Sequence, residues 1–169
     1  MEVILVSKWL LNYWKKLRSK FVGREIRSLQ IIAWNSSLEE LQICSNNYTT
    51  VSSDYDFHHD HLKRVYISNN HLSNWQSICY LGRLFPRLET LIASDNPLQT
   101  FRSEDDVTHC LPHLHTLSVD QVQVAEWDDI VALTTLPRLH ALRIHSAPLL
   151  KVGREFSGMS SKKISISSF

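Results

Sequence analysis

The sequence predicts an α/β repeat protein in which short parallel strands line a concave face and helices or turns form the convex one. Three observations support this. Five similar segments recur at near-constant spacing, their apolar residues hold fixed places, and the stretches between them share a helical pattern closed by proline.

The segments are LEELQICSNNY from Leu38, LKRVYISNNHL from Leu62, LETLIASDNPL from Leu88, LHTLSVDQVQV from Leu114 and LHALRIHSAPL from Leu139. Their starts lie 24, 26, 26 and 25 residues apart, which fits a leucine-rich repeat solenoid and its L-x-x-L-x-L-x-x-N-x-L pattern. The first, fourth, sixth and eleventh positions are expected to point inward. They read Leu38, Leu41, Ile43, Tyr48; Leu62, Val65, Ile67, Leu72; Leu88, Leu91, Ala93, Leu98; Leu114, Leu117, Val119, Val124; and Leu139, Leu142, Ile144, Leu149, all apolar or aromatic. At the ninth position stand Asn46, Asn70 and Asn96. Each amide is expected to satisfy backbone groups where the chain leaves the strand. The last two repeats have Val122 and Ala147 there, so their turns must be satisfied differently.

The fourteenth positions, Val51, Trp75, Phe101 and Trp127, are large residues expected to stack from repeat to repeat as core. Trp75 is followed by Ile78, Leu81 and Leu84, and Trp127 by Ile130, Leu133 and Leu136, which is one helix face in each case. Pro86, Pro112 and Pro137 each stand two residues before the next first leucine, where proline stops a helix and favours extended chain. Ser103 and Asp106 offer a capping box at one helix start.

Three regions follow: residues 1–33 as a basic amphipathic helix or cap, 34–150 as the repeat domain, and 151–169 as a serine-rich, disordered tail. In the first region Leu5, Trp9, Tyr13, Leu17 and Phe21 recur every four residues. Open ends of a solenoid expose core, so a helix covering the first repeat is expected. An interfacial membrane helix or a flexible arm are the alternatives.

The chain has 169 residues with 18 Lys+Arg, 17 Asp+Glu and a net charge of +1. That balance gives no overall basic footprint for nucleic acid. It conceals an asymmetry, because residues 1–27 carry seven basic against two acidic groups, +5, leaving −4 for the remainder. No apolar run approaches the roughly 18 residues of a membrane span, and Val3–Val6 is too short for a signal peptide, so an intracellular setting is expected. Cys44, Cys79 and Cys110 form no disulfide or zinc spacing, and the four glycines are too scattered for a phosphate loop. We expect no cofactor and no catalysis.

His58, His59, Asp60 and His61 resemble a metal cluster, but adjacent residues point apart and no cysteine stands near, so no metal is expected. His113, His115, His140 and His145 lie on or beside neighbouring strands and are read as exposed strand histidines. Glu104, Asp105, Asp106, Glu126, Asp128 and Asp129 recur at helix starts, where carboxylates complement the helix dipole.

Recognition is expected on the outward side chains of the strands. Arg64, Tyr66, Ile92 and Arg143 stand out there, joined by Asn69, Asp95, Asp120 and His145. An ordinary solvated face is the alternative.

The chain also resembles the repeat region of the tubulin-specific chaperone cofactor E family, and its cofactor E-like branch most of all. The resemblance rests on LEELQICSNNYTTV, on LKRVYISNNHLSNWQSICYLGRLFPRLETLIASDNPL and on LPHLHTLSVDQVQVAEWDDIVALTTLPRLHALRIHSAPLL, covering roughly Trp34 to Leu150. It implies binding to α-tubulin and control of tubulin heterodimer assembly or disassembly without catalysis, in the cytoplasm and at the cytoskeleton. It also implies an acidic partner, which Arg64 and Arg143 would steer. The family places a ubiquitin-like domain after the repeats, and cofactor E proper has a glycine-rich domain before them. With 33 residues before the match and 19 after it, neither is expected here, and a shortened form is. A general adaptor for another intracellular protein, membrane-associated through the basic helix, is the competing expectation.

Overall fold

The computed structural model of the chain describes residues 3–5, 37–51, 58–102, 107–152 and 165–167. Its framework is one parallel sheet of seven three-residue strands: β1 (Val3–Leu5), β2 (Glu40–Gln42), β3 (Arg64–Tyr66), β4 (Thr90–Ile92), β5 (Thr116–Ser118), β6 (Ala141–Arg143) and β7 (Ser165–Ser167). They lie side by side in chain order. Parallel neighbours need a long crossover, and each repeat supplies one. Equivalent repeat positions are therefore registered, so that Glu40, Arg64, Thr90, Thr116 and Ala141 form one column.

Backbone pairing continues beyond the strands. The sixth-position amides of Ile43, Ile67, Ala93 and Val119 donate to Tyr66, Ile92, Ser118 and Arg143 of the following repeat at 2.8–2.9 Å. Eighth-position amides then donate to the next seventh-position carbonyl, as in Ser45 to Ser68 and Gln121 to His145, both 3.0 Å. The backbone leaves the strand through a left-handed residue in every repeat: Ser45, Asn69, Asp95, Gln121 and Ser146 have φ of 52–59°. None is glycine, and the strain of roughly 1 kcal/mol per residue is offset by the ladder bonds on either side.

All the inward positions of the five repeats are buried, none more than 4% exposed. At roughly 1.5–3 kcal/mol for each large apolar side chain, this column of leucines dominates the stability. The asparagines add specificity to it. Asn70 Oδ1 accepts from the amides of Asn46 and Tyr48, while its Nδ2 donates to the carbonyls of Ile43, Ile67 and Ser68. Asn96 repeats the arrangement with the Leu72 amide and the carbonyls of Ile67, Ala93 and Ser94. Asn46 reaches the Cys44 carbonyl at 2.9 Å. Val122 and Ala147 are buried in the corresponding places. Lacking an asparagine Oδ1 from Val122, the Leu98 amide turns to the Asn96 carbonyl at 2.8 Å.

Helices α1 (Trp75–Leu84), α2 (Val107–Cys110) and α3 (Trp127–Thr134) follow β3, β4 and β5, and a 3₁₀ turn, Pro148–Val152, follows β6. Asn74 caps α1 by accepting from the Ser77 amide at 2.9 Å. Trp75 packs edge-on against Phe101 with centroids 5.2 Å apart, so the fourteenth positions do touch between repeats. Trp127 is only partly buried beside the core. Gly82 lies against α2: a Cβ there would fall 1.9 Å from the Cys110 carbonyl oxygen.

Both ends correct the sequence reading where they are described. Leu5 belongs to β1, not to a helical stripe: Val3–Leu5 pairs in parallel with Glu40–Gln42. The rest of that stripe lies outside the described residues, as does the capping box at Ser103 and Asp106. In the expected disordered tail, Ser165–Ser167 pairs with β6, its alternation suiting a strand, and Ser165 follows Ala141 at the repeat spacing.

Candidate protein-binding face

Third, fifth and seventh positions project from the sheet face opposite the core, and short polar side chains such as Ser68, Thr90, Ser94, Thr116 and Ser118 occupy its middle. Ser94 and Ser118 are buried, their hydroxyls 3.4 Å apart, and form a low floor at the middle of the face. On one side of that floor Tyr66 and Ile92 are half-buried and directly registered, giving an apolar step. On the other side stands Arg143, in register with Ser118 and exposed. It ion-pairs with none of the described residues.

The other charged residues of the face are committed. Arg64 Nε lies 2.8 Å from Glu40 Oε2, and Gln42 Nε2 donates to Glu40 Oε1 at 3.0 Å. The Gln42 amide and the Arg64 guanidinium hold the Glu40 carboxyl below its ordinary range, and the same pairing raises Arg64. Asp120 is similarly engaged with His145 Nδ1 at 2.5 Å. Of the two arginines expected to steer an acidic partner, Arg64 is thus internally compensated and Arg143 is not. Asn69 and Asp95 are exposed but sit in the left-handed turns at the rim, outside the strand columns. Asn69 Nδ2 donates to Ser45 Oγ at 2.9 Å.

The histidines separate by position. His115 and His140 approach with ring centroids 5.4 Å apart, whereas His145 is drawn to Asp120. His59 is buried while His58 and Asp60 are exposed and 3.6 Å apart, so adjacent members of the cluster do diverge. Among the described residues no group of three or more His, Cys, Asp or Glu side chains could hold a metal. Cys44 is exposed on the face, yet partial desolvation of its sulfur by the surrounding atoms pushes the thiol up, away from the reactive thiolate.

Sequence reasoning missed the role of the sixteenth position. Asp129, 2% exposed, accepts from the Phe101 amide at 2.9 Å, the Thr100 hydroxyl at 2.5 Å and Arg102 Nε at 3.2 Å. Ser77, one turn into α1, accepts from the Val51 amide in the same way at 3.2 Å. A polar side chain at this position therefore ties the starts of α1 and α3 to the preceding repeat. The signal was available as Ser77 and Asp129, both sixteenth from their first leucines.

No family model matches the chain. By sequence it is 36% identical over 115 residues to the human tubulin-specific chaperone cofactor E-like protein, covering 68% of this chain and 27% of that one. The rat protein of the same name is 35% identical over 115 residues, with the same coverage. Human tubulin-specific chaperone E is 31% identical over 131 residues, 75% of this chain and 24% of that protein. The resemblance read from the repeats is borne out, and the chain spans about a quarter of the length of these relatives.

Proposed function

From the kinship of this chain to the tubulin-specific chaperone cofactor E-like proteins, we propose that it is a non-catalytic, tubulin-binding leucine-rich repeat solenoid. The observation that carries the reading is that kinship, 36% and 35% identity over 115 residues of this chain. The parallel sheet then forms the concave face, and α1 and α3 the convex one. Tubulin, through its α subunit, is the partner, and the consequence is regulation of heterodimer folding or disassembly and hence of microtubule stability, in the cytoplasm. Among the described residues no helix is long and apolar enough to cross a membrane.

The mechanism asks only for binding. A sheet fixed by a leucine column and amide ladders presents its face without reorganising, so little entropy is lost on docking. Tyr66 and Ile92 supply apolar area, and Arg143 a charge that orients an acidic partner. Mixing the full chain with purified αβ-tubulin and measuring co-elution tests the proposal. A stoichiometric complex is expected; separate elution at micromolar concentrations of both would remove tubulin as partner.

A further inference from the structure

On the reading that the outer sheet face is the recognition surface, the geometry points to the partner chemistry it takes: we propose an extended segment carrying a bulky apolar residue and a carboxylate about three residues apart. The apolar residue lies on the Tyr66–Ile92 step and the carboxylate meets Arg143.

Three features lead there. Arg64 and Asp120 are already engaged within the face, by Glu40 and His145, which leaves Arg143 as its uncompensated charge among the described residues. The Ser94–Ser118 floor is low, so a segment crossing the strands can descend between the apolar step and the arginine. Ile92, Ser118 and Arg143 share one row on three successive strands, so Ile92 and Arg143 are separated by two strand spacings, about 10 Å. Extended chain rises roughly 3.3 Å per residue, and three residues span that distance. The guanidinium fork suits a carboxylate, and the complementarity would be lost with a basic residue at the same place.

Selection of a randomised seven-residue displayed-peptide library on the full chain tests this without tubulin. Enrichment of an apolar residue three places from Asp or Glu, disappearing when selection is repeated on Arg143→Glu, is the expected result. No enrichment, or the same motif on the variant, overturns it. Binding of αβ-tubulin to variants is the second arm. Arg143→Glu or Ile92→Asp should weaken it about tenfold or more, with Arg143→Lys weakened less than Arg143→Glu. Thermal unfolding of each variant separates lost contact from lost fold. If folded Arg143→Glu and Ile92→Asp bind tubulin as the parent does, the inference fails and the tubulin reading stands. If the peptide motif emerges and tubulin does not bind, the inference stands and the tubulin reading falls.

Discussion

The second and third repeats and the last two solve the same problem by different means. In the former, Asn70 and Asn96 each tie two repeats together through buried side-chain bonds to backbone. In the latter, Val122 and Ala147 fill the same place with apolar atoms, and polar cross-ties come from elsewhere, chiefly Asp129 on α3 and the Asp120–His145 pair. The repeat fold thus needs its inward apolar column everywhere, whereas the asparagine of the turn can give way to apolar atoms. A helix-start tie is common to both halves, Ser77 to the Val51 amide and Asp129 to the Phe101 amide, so what the last repeats lack is the asparagine ladder alone.

The comparison is broken most strongly at Asn70. Replacing it with alanine strands the buried Tyr48 amide and the carbonyls it serves, and should cost about 3 kcal/mol in urea unfolding. A loss under about 1 kcal/mol would mean that the ladder is decorative. Asp129→Ala should cost about 2 kcal/mol, since the Phe101 amide is left without its acceptor. If it costs nothing, the later repeats are not held through α3.

A gain-of-ladder test sharpens the contrast. Val119 and Val122 are both buried valines. Asparagine at Val119 enters the apolar column and should cost roughly 3 kcal/mol. At Val122 it meets ladder geometry, with the Leu98 amide nearby, and the cost should stay under about 1.5 kcal/mol. Equal losses would show that the last repeats have lost the ladder geometry as well as the asparagine.

The smallest effect concerns Glu40. Its carboxyl is held below the ordinary value by Gln42 and Arg64, so the folded state favours the ionised form. That contribution is present above the unfolded-state value and is lost as pH falls through the folded one. Glu40→Gln should therefore lower stability by a few tenths of a kcal/mol at neutral pH, with the difference fading below about pH 4.5. A difference that grows in acid would reverse the sign assigned to the pair.

The inward column was readable residue by residue, because burial of the first, fourth, sixth and eleventh positions follows from strand alternation and the turn. So were the α1 and α3 faces and the asparagine roles of Asn70 and Asn96. The pairing of Arg64 with Glu40 was not read, although both occupy the third position 24 residues apart. Opposite charges at equal positions of registered neighbours pair across the strands, which is why Arg64 is compensated. The left-handed eighth position also left no composition signal, since Ser, Asn, Asp and Gln all adopt it. It moves Asn69 and Asp95 from the face to its rim. Strands β1 and β7 escaped because neither repeat has leucine at its first or fourth position.

Hydroxyl-radical footprinting of the full chain with and without αβ-tubulin tests the central claim most directly, since it reads both sides of the molecule at once. Tyr66 and Ile92 should be protected in the complex while Val131, the exposed apolar residue of α3, is modified at an unchanged rate. Protection of Val131 with Tyr66 and Ile92 unaffected would contradict binding through the sheet face.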